Sequence, residues 1–108
     1  MKKAVTYQIF IPCLLFFASC DKGYEVRFTN YYIEPMDSVI IGENKVVFKA
    51  IELQASTSYM SIAKGKYSIQ CISKTKKRFS SSITIPGKGK GKRTIQIDGI
   101  NQISILEE

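Results

Sequence analysis

The strongest constraint on the fold of this chain is an alternation of apolar and polar side chains that runs from residue 24 to residue 106. Tyr24, Val26 and Phe28 alternate with polar neighbours, and similar runs recur with turn-forming residues about every eight to twelve positions. Successive side chains of a β-strand point to opposite faces, so a period of two indicates half-buried strands. The pattern predicts an all-β fold, a small antiparallel β-sandwich of about seven or eight short strands.

Turn chemistry divides the alternation into separate strands. Gly42 and Asn44 tolerate a positive φ and suit the tight turn of a first hairpin, and Gly65 suits a second hairpin between the fourth and fifth strands. The sixth strand is expected to pair with the fifth, and no segment has a convincing helical period. The predicted strands cover residues 24–29, 37–42, 45–50, 58–62, 66–72, 79–85, 93–97 and 103–106.

The first nineteen residues have the three parts of a bacterial export signal. Lys2 and Lys3 precede an apolar run over residues 9–17, and the small residues Ala18 and Ser19 follow it. This run is much shorter than the roughly 20 residues of a membrane-spanning helix. An ordinary secretory signal cut near Ala18 and an uncleaved anchor are the alternatives to the interpretation that follows.

Residues 17–20 resemble the lipobox of bacterial lipoproteins, with Phe17 where the family usually has leucine and with Ala18, Ser19 and Cys20 matching it. The resemblance implies cleavage between Ser19 and Cys20 and a diacylglyceryl group on the Cys20 thiol. It predicts a membrane-anchored lipoprotein of the bacterial cell envelope, periplasmic or surface-facing, without fixing which membrane holds it.

Cleavage before Cys20 would remove residues 1–19 of the 108 and leave 89, enough for one domain with a modest core. The predicted organisation is a lipoprotein signal peptide over residues 1–19, an acylated tether over residues 20–23 and a β-sandwich domain over residues 24–108. Several acyl chains on one cysteine anchor a chain stably without a membrane-spanning helix.

The order of the predicted strands also resembles a small immunoglobulin- or transthyretin-like β-sandwich of unassigned function that is often found in bacterial lipoproteins. The likeness rests on the strand at residues 26–30, the hairpin centred on Gly42, and residues 63–69, where Gly65 and Tyr67 open a strand. It covers about two thirds of the chain after Cys20. It implies a fold and carries over no catalytic or ligand-binding residue.

Positive charge is concentrated in two segments, residues 74–78 and 87–93. Such segments attract lipid headgroups, lipopolysaccharide phosphates or peptidoglycan carboxylates at an envelope surface. A strand of seven residues separates the two, which places them about 20 Å apart at opposite ends. The simpler interpretation is two solvated connectors that keep the domain soluble. The candidate residues for an anionic polymer or glycan are Lys88, Lys90, Lys92 and Arg93.

The composition argues against several kinds of chemistry. The chain has no histidine, which removes every Ser-His or Cys-His nucleophile pair. Of three cysteines, Cys13 leaves with the signal and Cys20 is acylated, so Cys71 remains and is predicted to be a small buried hydrophobe. The glycine-rich residues 87–92 lie between strands and open no helix, unlike a phosphate-binding loop. We therefore predict no metal, no cofactor, no nucleic-acid partner and no enzymatic activity.

Tyr31 and Tyr32 are followed by Glu34 and Asp37. They offer either an exposed aromatic platform for a glycan or, more simply, a cover over one end of the core. Three functions remain. The first is a non-catalytic interaction or structural module, for which an exposed edge strand is one means of binding. The second is a binder of an anionic envelope polymer or glycan, and the third is a small inhibitor or accessory subunit of an envelope enzyme.

Overall fold

A computed structural model describes residues 23–108 as eight β-strands in two four-stranded sheets. This confirms the predicted all-β sandwich. The predicted signal peptide, with Ser19 and Cys20, lies outside the described residues. Residues 23–108 contain no helix with the length and apolar character needed to span a membrane. The strands are β1 (Tyr24–Asn30), β2 (Met36–Ile41), β3 (Val46–Ile51), β4 (Met60–Ile62), β5 (Gly65–Ser73), β6 (Arg78–Ile85), β7 (Gly91–Ile97) and β8 (Ile103–Glu107).

The two sheets have the strand orders β4-β1-β7-β8 and β3-β2-β5-β6. All neighbouring strands are antiparallel except β1 and β7, which run parallel from the Tyr24–Gly91 pair to the Asn30–Ile97 pair. The predicted antiparallel architecture therefore holds with one exception. Local alternation does not reveal it, because the paired strands are far apart in the sequence.

The core lies between the two sheets and is built from the inward-facing residue of each alternating pair. The β4-β1-β7-β8 sheet contributes four fully buried side chains, Val26 and Phe28 of β1 and Ile95 and Ile97 of β7. Each such side chain contributes about 1.5 to 3 kcal/mol by leaving water. The opposite sheet contributes Met36, Val39, Ile41, Val46, Phe48, Ile51, Ile69, Cys71, Ile83 and Ile85.

The predicted hairpin between β2 and β3 is confirmed, and its backbone explains the sequence. Gly42 and Asn44 both have a φ of 67°. The Lys45 amide donates a hydrogen bond of 3.0 Å to the Ile41 carbonyl and closes the turn. Glycine and asparagine are the residues that reach this left-handed region at least cost.

The second predicted hairpin is wrong. β4 pairs with β1 and β5 pairs with β2 and β6, so residues 63–64 connect the two sheets instead of two neighbouring strands. Gly65 has a φ of 145°, and the Tyr67 hydroxyl donates to the carbonyls of Ala63 and Lys64 at 2.9 and 3.2 Å. A glycine can turn a sharp corner between sheets as readily as a hairpin, so the residue alone did not distinguish them.

Gly23 enters the sandwich at one end, which we call the proximal end. Tyr24 lies opposite Ile62 of β4 and Gly91 of β7, and β5 begins where β6 ends, at the same level. The other end is the distal end. The connections 42–45, 63–64 and 86–90 are proximal, and the connections 31–35, 52–59, 74–77 and 98–102 are distal.

Candidate binding surfaces

The proximal end carries two of the predicted basic residues on an open connection. Lys88 and Lys90 are exposed in the β6–β7 connection, and the Tyr24 hydroxyl donates to the Lys88 carbonyl at 3.1 Å. Lys64 lies beside this connection. Its Cδ packs close to Gly87, 3.3 Å from the position that a β-carbon on that glycine would occupy. Among residues 23–108, no carboxylate oxygen lies within 4.0 Å of these three ammonium groups.

The other two predicted residues lie within β7 and face opposite sides of the sheet. Lys92 is on the outer face, with its Nζ 4.6 Å from the centre of the Tyr59 ring. The Arg93 side chain is only 12% exposed, 3.9 Å from a Glu107 oxygen, and its guanidinium lies 4.9 Å above the Tyr24 ring. The four candidates therefore do not converge on one surface, and only Lys88 and Lys90 lie together.

A small recess lies between these proximal connections. It has a volume of about 210 Å³ and is lined by Gly23, Tyr24, Lys64 and Gly87, among others. Sites for organic ligands usually measure roughly 300 to 1,000 Å³. This recess is therefore smaller than a typical site for an organic ligand.

Two of the three lysines of the distal basic connection are neutralised by nearby carboxylates. Lys76 forms a 2.6 Å ion pair with Asp37, and Lys77 lies 3.4 Å from Glu34. Thr75 donates to the same Glu34 carboxylate from its hydroxyl at 2.8 Å and its amide at 3.2 Å. The Thr75 hydroxyl bond is the main reason why the pKa of Glu34 is lowered from 4.5. The two carboxylates bind groups of the 74–77 connection and do not face each other across a cleft.

The two adjacent tyrosines have different roles. Tyr32 is 7% exposed and packs edge-on against Phe79, with ring centres 5.0 Å apart. Tyr31 is 50% exposed. Tyr32 therefore covers the distal end of the core, as the simpler interpretation predicted, and the pair does not form a two-ring platform.

A polar cluster that the sequence did not reveal lies on the outer face of the β4-β1-β7-β8 sheet. Arg27 donates from Nε to the Thr94 hydroxyl at 3.0 Å, and its guanidinium lies 3.7 Å from Glu108 and 4.9 Å above the Tyr59 ring. Glu108 accepts hydrogen bonds from the Thr94 and Tyr59 hydroxyls, the latter at 2.6 Å. These members come from four distant parts of the sequence, so no local motif signals the cluster.

Hydrogen bonding shifts the ionisation of this cluster. The bond from Thr94, then that from Tyr59, lowers the pKa of Glu108, and the bond to Glu108 raises the pKa of Tyr59. Both shifts hold the carboxylate charged and the phenol protonated at neutral pH. Opposite charges balance, so the cluster ties neighbouring strands together and offers no concentrated charge to an anionic partner.

Cys71 is fully buried, as predicted. Burial raises the pKa of its thiol to about 12, so it is neither ionised nor accessible as a nucleophile at neutral pH. Over residues 23–108, no three His, Cys, Asp or Glu side chains are grouped closely enough to hold a metal ion.

The four sheet edges differ in how well they are protected. β4 has three residues, β8 has five and ends in Glu107, and β3 carries Lys49 and a left-handed Ala50 with a φ of 56°. β6 is the longest edge strand, with eight residues, and has no charged residue after Arg78. Among residues 23–108 it is paired only with β5. Charge and irregular backbone discourage additional strand pairing, and the residues of β6 after Arg78 form the longest uncharged run of the four edge strands.

Comparison with known proteins identifies the fold only. No protein-family model matches the sequence, and no curated protein matches it. A solved NMR structure of a protein from Eubacterium rectale has a TM-score of 0.54 and 11% sequence identity, covering 79% of this chain and 87% of that chain. At this identity the likeness concerns the fold, and it is consistent with the sandwich described above.

Proposed function

We propose that this protein is a lipid-anchored module of the bacterial cell envelope that acts by binding a partner protein along the free edge of β6, without catalysis. The lipobox-like residues at Cys20 support the anchor, and the β6 edge is the observation that carries the binding function. The partner would add an extended segment as a further strand, so its main-chain groups would pair with the free groups of β6.

The side chains of β6 favour such an approach. Ser80, Ser82 and Thr84 are small, uncharged and exposed on the outer face, so they leave room beside the edge. The inward positions Ile83 and Ile85 are buried and hold the strand in place. A main-chain partner therefore meets a firmly supported strand with little side-chain obstruction.

Photo-crosslinking in intact envelopes tests this binding. A crosslinking amino acid at Ser82 should capture one defined protein in a complex that resists high salt. Ser68 is the matched control, because it is exposed directly opposite Ser82 on the neighbouring inner strand β5. Ser82→Lys should abolish capture by a crosslinker placed at Ser80, and Ser68→Lys should not. Equal capture at both positions, or none at β6, would refute the edge assignment.

The anchor has a separate test. Replacing Cys20 with serine should abolish acylation and leave an unprocessed precursor, because the thiol is the acyl acceptor. Mass spectrometry of the membrane fraction measures both changes. Normal processing of the variant and release of a soluble protein would show that the leader is an ordinary secretory signal.

The strand order bears on which resemblance applies. In an immunoglobulin constant-type domain, the first two strands share one sheet. Here β1 and β2 lie in different sheets. This difference favours the transthyretin-like alternative over the immunoglobulin-like one for the architecture of the domain.

A second candidate function is binding of an anionic envelope polymer or glycan at the proximal end. The specific observation in its favour is the open β6–β7 connection, whose Lys88 and Lys90 have no ion-pair partner among residues 23–108. Retention on purified peptidoglycan or lipopolysaccharide that collapses at high salt supports this function. Salt-independent binding of one protein supports the first.

A further inference from the structure

Gly23, the first described residue, and the proximal lysines lie at the same end of the sandwich. Gly23 enters β1 beside the connections 63–64 and 86–90, and it lines the recess that both connections border. Three residue steps separate Gly23 from Cys20, which span at most about 11 Å when fully extended. A chain acylated at Cys20 therefore holds this end close to the membrane surface.

The same end presents a group of exposed cations. Lys64, Lys88 and Lys90 surround the entry of β1, and Lys45 and Lys66 flank an adjoining recess beside the 42–45 hairpin. None of these five lysines has an ion-pair partner among residues 23–108. Glu43 is the one acidic residue in the three proximal connections, and Glu25, Glu107 and Glu108 lie at the same end of their strands. Glu107 and Glu108 are paired with Arg93 and Arg27, so the five lysines face Glu25 and Glu43, and the end keeps a positive excess.

We propose that the proximal end docks on the anionic phospholipid headgroups of the membrane that holds the acyl chains, with Lys64, Lys88 and Lys90 as the contact residues. The inference rests on the lipid anchor of the proposed function and adds an orientation to it. The Debye length at physiological salt is about 8 Å, comparable to the reach of the tether. The membrane is the anionic surface that the tether keeps within that range.

Backbone geometry allows the close approach. Gly87 and Gly89 have no side chains to separate the connection from a flat surface, and both are exposed. The Tyr24 hydroxyl fixes the middle of the connection through the Lys88 carbonyl. The lysines are therefore presented from a narrow, low-profile loop, and each contributes about a fivefold increase in binding near an anionic surface.

Docking at this end sets the direction of the whole sandwich. β6 would run toward the bilayer, from Arg78 farthest from the membrane to Ile85 nearest to it. The distal connection, where Lys76 and Lys77 are paired with Asp37 and Glu34, would face away from the lipid. The free edge of β6 would then remain open to a partner beside the membrane.

Lysine footprinting of the full acylated protein tests the docking. The protein is reconstituted in vesicles of phosphatidylcholine alone or mixed with phosphatidylglycerol, and the rate of amine acylation at each lysine is read by mass spectrometry. Lys64, Lys88 and Lys90 should react several-fold more slowly on the anionic vesicles. Lys74, exposed at the distal end, should react equally on both. At about 1 M salt, where the Debye length is about 3 Å, the protection should disappear.

Matched variants identify the contact residues. Changing Lys88 and Lys90 together to glutamine should weaken docking about 25-fold, read as lost protection of Lys64, because each lysine contributes about fivefold. Changing Lys74 and Lys76 to glutamine should leave that protection intact.

Each outcome assigns the failure to one proposal. Absence of acyl chains on Cys20 overturns the anchor and, with it, this orientation. Acylated protein whose proximal lysines react equally on both vesicles overturns the docking alone. Protection that appears only when purified peptidoglycan is added also overturns it and identifies the polymer as the ligand.

Discussion

The two basic connections have similar compositions and different structures. In the distal connection, Ser73 makes backbone hydrogen bonds with Lys76 and Lys77, and carboxylates from the β1–β2 region pair with these two lysines. In the β6–β7 connection at the proximal end, the hydrogen bond from the Tyr24 hydroxyl to the Lys88 carbonyl is the one such bond among residues 23–108. The difference teaches that a lysine-rich loop is available for binding only if distant segments leave its charges unpaired.

The distal end is also supported by buried polar residues. Asn30 is fully buried, and its amide donates to the carbonyls of Glu34 and Ile51 at 2.9 and 3.2 Å. Its side-chain oxygen accepts from the Tyr32 amide at 2.9 Å. The distal connections are therefore part of the folded framework, and we expect substitutions there to cost more stability than substitutions at the proximal end.

The largest effect is expected for Asn30→Ala. The substitution leaves buried carbonyl groups without a donor and creates a cavity, so the free energy of unfolding should fall by about 3 kcal/mol in urea denaturation. Tyr24→Phe is the proximal counterpart, since it removes one exposed hydrogen bond, and should cost less than about 0.5 kcal/mol. Equal losses in the two variants would contradict the difference between the ends.

A smaller effect is expected for Ser73→Ala. Ser73 is fully buried, and its hydroxyl accepts a hydrogen bond of 3.1 Å from the Lys77 amide. Losing that acceptor should lower the free energy of unfolding by about 1 to 2 kcal/mol. Ser80→Ala on exposed β6 is the control and should lie within about 0.5 kcal/mol of the unmodified protein. A loss no larger than that of the control would show that water replaces the hydroxyl.

A still smaller effect is expected from acid, which should reduce the stabilisation that the Glu34 carboxylate gives to the distal connection. The folded-state pKa of Glu34 lies below its ordinary 4.5, so its stabilisation is fully present above that value and is lost as the pH falls through the folded pKa. Urea midpoints measured across this range should show a gap between the unmodified protein and Glu34→Gln that closes on acidification. The similar dependence on Glu108 is common to both proteins and cancels. A constant gap would refute the assignment.

The smallest effect on stability is expected at the proposed docking surface. Changing Lys88 and Lys90 to glutamine should alter the free energy of unfolding by less than about 0.5 kcal/mol, at low and at high salt. Changing Lys76 and Lys77 to glutamine removes two exposed ion pairs. The free energy of unfolding should therefore fall slightly at low salt and stay unchanged at high salt. A salt-sensitive loss in the proximal variant would show that its lysines are structural.

Local chemistry was sufficient to predict most of the strands. The alternation around Val26 and Phe28 identifies β1, and the positive-φ residues Gly42 and Asn44 identify the β2–β3 hairpin. The pairing of β5 with β6 and the burial of Cys71 also followed from neighbouring residues. Each of these depends on interactions within about twenty residues of sequence, where turn geometry and side-chain parity fix the result.

What could not be predicted depends on contacts between distant segments. β7 begins at Gly91, two residues before the predicted start, and this strand places Lys92 and Arg93 on opposite faces. The pairing of Lys76 with Asp37 and the gathering of Tyr59 and Glu108 around Arg27 require the finished sheets. Which lysines are neutralised is therefore a property of the fold and not of the loop sequence.

The parallel pairing of β1 with β7 has a consequence for how the domain folds. β1 is an inner strand of its sheet, and its full-length neighbour lies 67 positions later, as Tyr24 opposite Gly91 shows. Proteins dominated by such distant pairings fold in milliseconds to seconds because long loops must close first. The first sheet is therefore expected to assemble late, after residue 97 is available, and its first strand must stay unpaired on that side until then.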